Sequence, residues 1–342
     1  MQERNHTLNL LRFLAALVVV FFHYNTPATY SDNFYKNFVK FGWLGVPIFF
    51  VISGYCILMS ALSAKTSIEF IFRRLFRIYP TYWFSMFIVC MAALFQWLWL
   101  GANSATMFPR NLSSILSCIL LYIDPVSETP GINIVYWSLA CEICFYLTVF
   151  LGLLFPRKYM LTYFCAISIL SICFPIYGKG EFYYFLKDWP CFALGLCLYY
   201  LHNIKTAVAL TRLFFFLILI ALLRQNPFGD LRNHLYLTVS GLTFLGIYVS
   251  TFDKFRLRSN IFSRFGEYSY SVYLIHVPIG VNIIGIFKTT YFQQDMKLNF
   301  LYDLFSFNIV LLCSYFMFTY IESPSIVTGK RISKQLNKFL DK

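Results

Sequence analysis

Charge is what this sequence has least of. Asp, Glu, Lys and Arg make up 13% of its 342 residues, about half the share of a soluble domain. Only 15 residues are acidic. That scarcity excludes an ordinary water-facing surface over most of the chain. No internal repeat and no low-complexity linker is visible, which argues against a solenoid and against a second domain. A disulfide framework is also lacking: the ten cysteines are scattered, mostly inside apolar segments. Cys141 and Cys144 form a CxxC pair, but no second cysteine pair or ligating histidine lies nearby. Packing is expected of them rather than zinc or redox chemistry, and no metal site is expected.

What fills the chain instead is apolar. Hydrophobic residues make up 59% of it, gathered into runs of about 17–24 residues, the length that crosses a bilayer as a helix. The runs cover residues 8–24, 44–62, 80–100, 133–155, 159–175, 185–202, 207–223, 234–251, 269–287 and 300–321. The expected fold is therefore all-α, a polytopic transmembrane bundle of about ten spans. Residues 113–123 are apolar but too short to span, and are expected to be interfacial or re-entrant. The first run holds Arg12 and has no small-x-small site after Phe22, so it is expected to be a retained helix rather than a signal peptide.

The net charge of +13 does not point to nucleic acid, because of where it falls. Lys65, Arg73, Arg74 and Arg77 crowd one connection; Arg157 and Lys158 mark another. Lys254, Arg256, Arg258 and Arg264 form a third group, and Lys330, Arg331, Lys334, Lys338 and Lys342 a fourth. With ten spans these groups share one side, which carries roughly two thirds of the cations, so both termini are expected in the cytoplasm. Residues 1–325 read as one membrane-embedded domain and 326–342 as a short, mobile basic tail. Trp43, Trp97, Trp99, Trp137 and Trp189 fall near the expected helix ends, as interfacial anchors do.

An ionisable group at membrane depth costs at least a few kcal/mol and calls for a reason. The first span holds two, Arg12 and His23. Eleven residues apart, they share a helix face and stand roughly 16 Å apart along the axis. Arg12 then lies near the cytoplasmic surface and His23 in the outer part of the membrane. Glu142 lies about two turns into the fourth span, after Tyr136-Trp137-Ser138-Leu139, and needs a partner. His23 is the best placed by depth, with Arg12 the alternative; a carboxylate there would hold the imidazole in one tautomer.

Arg73, Arg74 and Arg77 suit a phosphate, because guanidinium forks bind phosphate bidentately, although a topology loop would read the same way. Ser53 and Gly54 let a helix or a ligand approach the backbone closely. His276, in the ninth span, is a further buried titratable group. Glu322 closes the last span, where a cytoplasmic arginine is its expected partner.

Five motifs occur in order: Arg12 and His23 with ten residues between them, Phe49-Phe50-Val51-Ile52-Ser53-Gly54, Arg74-x-x-Arg77-Ile78-x-Pro80, Trp137-Ser138-Leu139-x-x-Glu142 and Ser271-x-Tyr273-Leu274-x-His276. Together they resemble the acyltransferase 3 family of integral membrane acyltransferases over nearly the whole chain. The resemblance implies transfer of an acetyl group from cytosolic acetyl-CoA to hydroxyls of cell-envelope or exported glycans, with a glycan or lipid-linked sugar as acceptor and the bacterial cytoplasmic membrane as the location. It implies essential roles for Arg12 and His23 and an acyl-donor role for Arg74 and Arg77.

On this reading Arg73, Arg74 and Arg77 bind the donor and His23 acts as general base or transient acyl carrier. Arg12 and Glu142 assist, while Ser53, Gly54, Tyr136, Trp137 and His276 are candidate substrate contacts. Ser53-Gly54-Tyr55-Cys56 departs from the family's usual Ser-Gly-Phe-Leu. The appended esterase-like domain of some relatives is not expected here, so the chain resembles the stand-alone O-antigen and exopolysaccharide O-acetyltransferases. A secondary transporter or sugar exporter using Arg12, His23 and Glu142 as a proton relay is the alternative, although the paired broken helices of two symmetric halves are not visible. A non-catalytic scaffold would need neither the cation nor the same-face histidine.

Overall fold

The computed structural model describes residues 5–26, 33–101, 108–173, 181–204, 207–225, 231–251 and 257–340, and among them it contains helices and no strand. Pro175, Lys254, Arg256 and Lys342 lie outside the described residues. Each of the ten apolar runs carries a helix. In chain order these are α1 (His6–Tyr24), a short α2 (Phe34–Val39), α3 (Gly45–Ser63), α4 (Ser67–Leu100), α5 (Leu112–Ile119), α6 (Trp137–Gly152), α7 (Met160–Cys173), α8 (Glu181–Asn203), α9 (Val208–Gln225) and α10 (Leu231–Ser250). Then follow α11 (Ile261–Phe265), α12 (Ser269–Ile275), α13 (Thr290–Gln294), α14 (Met296–Met317) and α15 (Ser323–Leu340). Among the described residues, six helical stretches are long and apolar enough to cross a membrane: His6–Tyr24, Phe34–Ser63, Ser67–Leu100, Val208–Gln225, Ile261–Phe287 and Met296–Lys338.

Exposure shows which faces meet lipid. On α14 the exposed side chains include Leu301, Phe305, Leu312 and Phe316, which share one face at helical spacing. Phe84, Phe87, Met91, Leu94 and Leu98 do the same on α4. In water such stripes would drive association; in hydrocarbon they are the outer surface of the bundle.

The arginine cluster is not in a connection, as the sequence suggested, but on a helix. α4 starts at Ser67 rather than at Pro80 because Thr66 caps it, its Oγ1 accepting from Glu69 N at 3.1 Å. It ends at Gly101, whose φ of 62° closes the last turn in the left-handed region. Its 34 residues rise about 51 Å, more than the hydrocarbon core needs, so one end projects beyond it.

Inside the bundle, helices meet where side chains are small. A Cβ on Gly54 of α3 would overlap the Phe192 carbonyl of α8, and one on Gly195 would overlap the Val51 carbonyl. The two backbones therefore lie in contact. Trp189 is not an interfacial anchor, because it is fully buried in α8 with its Nε1 donating to Ser168 Oγ at 2.9 Å. Trp97 and Trp99 are exposed at the end of α4.

Prolines inside helices leave carbonyls without their usual donor, and side chains supply one. Pro190 frees the Leu186 carbonyl, which accepts from Ser171 Oγ at 2.7 Å. Pro278 frees the Leu274 carbonyl, which accepts from Asn133 Nδ2 at 3.2 Å. The eight-residue α5 is too short to span. Tyr79, Tyr82 and Trp83 of α4 donate to the carbonyls of Leu120, Cys118 and Ile119 at its end.

The basic segment after the last span is not a loose tail. It forms α15, which runs back along the start of α4, with Gly329 against Phe76 and Asn337 beside Thr66 and Glu69.

Candidate active site

α1, α3, α4, α6 and α12 surround a cavity of about 690 Å³, within the usual range of cofactor pockets. Arg12, Arg73, Arg74, Arg77 and Lys330 line it, and Glu142 is the one carboxylate among its lining residues. The positive excess is not neutralised internally. Arg73 pairs with Glu69, yet its Nε is buried with no hydrogen-bond partner. Arg74 Cζ lies over the rings of Phe70 and Tyr146, 5.8 and 5.7 Å from their centroids. Its Nη2 reaches the Cys56 carbonyl at 3.4 Å, and its Nε is also buried without a partner. Buried donors left open on two guanidiniums suit an anionic ligand with several oxygens.

Arg12 enters from α1, its Nη1 on Asn9 Oδ1 at 3.5 Å and its Nη2 on Cys56 Sγ at 3.2 Å. Glu142 does not reach His23, because the two side chains take partners on different helices. Its Oε1 accepts from Tyr146 Oη at 2.7 Å, one turn along α6, and from Ser53 Oγ at 3.3 Å. No hydrogen bond joins it to Arg12 either, among the described residues. Glu322 accepts from Ser271 Oγ at 2.7 Å, and among the described residues no hydrogen bond or ion pair joins it to the arginine expected of it.

His23 meets a second histidine instead. His276 Nε2 lies 3.0 Å from His23 Nδ1, and the ring centroids are 5.0 Å apart. Pro278 denies α12 its regular ladder, and a π-turn, His276–Val281, starts at this histidine. Its Nδ1 faces two carbonyls, Tyr273 at 2.8 Å and Val272 at 3.3 Å.

A nitrogen facing only carbonyls must carry the proton. In the neutral ring His276 Nε2 is then an acceptor, so His23 Nδ1 is the donor, shared with the Val19 carbonyl at 3.0 Å. His23 Nε2 is left with its lone pair, and it has no hydrogen-bond partner among the described residues. Tyr273 connects the pair to the large cavity: it lines that cavity, and its ring centroid is 5.8 Å from the His276 ring.

On its other side His23 borders a cavity of about 90 Å³ with Tyr24, Gly280, Lys288, Asp303 and Ser306. The Tyr24 hydroxyl and Ser306 Oγ are buried without a partner. Asp303 and Lys288 form a buried ion pair at 2.6 Å. Asn25 Nδ2 and Tyr35 Oη donate to the other carboxylate oxygen at 2.7 and 2.8 Å, and Lys288 Nζ also donates to the Tyr24 carbonyl at 3.0 Å. The pair thus holds the end of α1 immediately after His23.

The remaining candidates lie apart from the cavity. Gly54 is spent on the α8 crossing. Tyr136 is fully buried against α4, its hydroxyl 2.7 Å from Ser85 Oγ. Trp137 is half-buried with its ring edge-on to Phe50. Cys141 and Cys144 are free thiols on α6. Tyr146, Tyr273, Lys288 and Asp303 were missed. Asp303 carried a signal, since it lies within an apolar run as Glu142 does.

Comparison with known proteins shows the family. The family model described as an acyltransferase domain matches residues 5–319, and the chain belongs to this family, acyltransferase 3. A protein of Komagataeibacter xylinus named as a membrane-bound transacylase, BcsY, is 29% identical over 60% of this chain and 53% of its own length. One of Acidianus two-tailed virus named as an acetyltransferase is 24% identical over 81% of this chain and 84% of its own. An O-acetyl transferase of Shigella phage Sf6 is 27% identical over 43% and 45%. The matches span about half the length of the first and the third of these relatives. No solved structure matches the chain.

Proposed function

We propose that this chain moves an acetyl group from cytosolic acetyl-CoA to a hydroxyl of a cell-envelope or exported glycan. It does so as a ten-span protein of the bacterial cytoplasmic membrane with both termini in the cytoplasm. The observation that carries the reading is the guanidinium-lined cavity whose wall residue Tyr273 packs against His276, the hydrogen-bonded partner of His23.

On this reading Arg73, Arg74 and Arg77 hold the donor's phosphates, the open buried Nε donors of Arg73 and Arg74 being what a phosphate satisfies. Arg12 adds charge on the α1 side. Glu142 acts as a positioning residue for Ser53 and Tyr146, and Tyr146 stacks on Arg74 in turn. The distance from Arg12 to His23, roughly 16 Å by helix rise, suits an extended arm that carries a thioester.

The Val19 carbonyl and His276 together hold the tautomer that leaves His23 Nε2 free, the part first expected of Glu142. Nε2 takes the proton of the acceptor hydroxyl as that oxygen attacks the thioester carbonyl; the carbon–sulfur bond breaks and the thiolate leaves with coenzyme A. The same lone pair would attack the carbonyl if His23 carried the acetyl group between the two half-reactions. The unpartnered Tyr24 hydroxyl and Ser306 Oγ beside His23 support an acceptor that approaches from that side.

The test is transfer of labelled acetyl from acetyl-CoA, added on the cytoplasmic face, to the glycan of membrane vesicles with and without this protein. Label in the glycan only when the protein is present supports the proposal. Equal labelling in both would remove it.

A further inference from the structure

The last helix is built into the wall of the donor cavity. Ile326 and Lys330 of α15 both line it beside Arg12, Arg73, Arg74 and Arg77. Gly329 is what lets α15 come so near. A Cβ there would sit 2.5 Å from Phe76 Cβ, between Arg74 and Arg77 in sequence, so a larger residue would push Lys330 off the rim.

Farther along, the contact turns polar. Asn337 is buried, its Nδ2 donates to Glu69 Oε2 at 2.7 Å, and its Oδ1 accepts from Thr66 Oγ1 at 2.7 Å. The other oxygen of Glu69 pairs with Arg73. One face of α15 therefore supplies a cation to the cavity and fixes the carboxylate that aims a second one.

We propose that α15 is part of the acyl-donor site, with Lys330 binding a phosphate of the donor and Asn337 acting through Glu69 as a positioning residue for Arg73. This rests on the reading of the cavity as an acyl-CoA site, and it concerns a segment that begins after the family match ends. The chemistry fits the place. An exposed lysine is a mobile point charge suited to the outer phosphate of a nucleotide, whereas the half-buried arginines are fixed forks.

The experiment is calorimetric titration of coenzyme A into the purified full chain in lipid nanodiscs. Lys330→Gln is expected to weaken binding about tenfold, the size of one charge-assisted contact, and Lys330→Glu to weaken it further. Lys338→Gln, on the same helix but away from the cavity, should stay within about twofold of wild type, because exposed charges a Debye length away are screened.

Asn337→Ala should weaken binding in the wild-type background and add nothing in an Arg73→Gln background, a coupling that general loosening of the helix would not produce. Wild-type affinity in Lys330→Gln, or an equal loss in Lys338→Gln, would overturn the inference while leaving the donor reading intact. A wild-type protein that binds no coenzyme A would overturn both.

Discussion

His23 Nδ1 and His276 Nε2 lie 3.0 Å apart, and the proton between them belongs to His23. Two carbonyls at the far nitrogen of His276 settle that, and they do so without a carboxylate. The pair differs from a histidine oriented by an acid: among the described residues no carboxylate is hydrogen-bonded to either ring, and the partner ring can itself accept a proton from His23. The fixed quantity is the tautomer, hence the direction of the free lone pair.

Replacing His276 should therefore cost turnover rather than donor affinity. His276→Ala removes one of the two acceptors of the His23 Nδ1 proton and leaves the orientation of the ring to the Val19 carbonyl alone. The expected effect is a fall in kcat of about 10²-fold, the low end of the contribution of a positioned general base, with the KM for acetyl-CoA within a factor of about two. Steady-state kinetics with varied acetyl-CoA checks it. A raised KM at constant kcat would return His276 to a substrate contact.

Arg74 lies over two aromatic rings, and the prediction for it separates charge from shape. Arg74→Gln should raise the apparent KM for acetyl-CoA about tenfold or more, the size of a charge-assisted contact. Arg74→Lys should recover only part of this, because an ammonium lacks the planar face over Phe70 and Tyr146 and presents no fork. The KM of a truncated donor without phosphates should not respond to either change. Full recovery by lysine would leave Arg74 as a source of charge alone.

Lys288 and Asp303 stabilise the end of α1 only as a pair. Lys288→Met leaves a buried carboxylate uncompensated and should destabilise the protein by about 3–5 kcal/mol. The double variant Lys288→Met with Asp303→Leu should recover much of the loss, since a buried pair is often replaceable by apolar groups. Thermal unfolding in detergent, followed for both variants side by side, checks the order. A double variant no more stable than the single one would contradict it.

Much of this was legible in the sequence, for a physical reason. Crossing hydrocarbon leaves a length and a hydropathy that survive in one dimension, so every expected run carries a helix. Depth is legible in the same way, which is why Arg12, His23, Glu142 and His276 stood out as ionisable residues in apolar runs. Azimuth is not legible. Glu142 and His23 were expected at one depth, and only the packing of α3 and α6 shows Glu142 turned toward Ser53 and Tyr146.

Gly54 read equally well as a ligand contact or a helix crossing, and the deciding group, the Phe192 carbonyl, lies 138 residues away in sequence. Asp303 was open to the argument that found Glu142, but its partner lies across a helix break. The basic segment around Lys330 read as a tail because its composition is polar, and polarity does not show that Asn337 and Gly329 hold it against α4.

The most direct test of the central claim replaces His23 by alanine and follows two quantities in the same purified protein: binding of coenzyme A, and transfer of labelled acetyl from acetyl-CoA to glycan. Loss of transfer with coenzyme A binding unchanged is the predicted result, because the arginine cavity and the histidine pair are separate parts of one path. Transfer at the wild-type rate in His23→Ala would contradict the account.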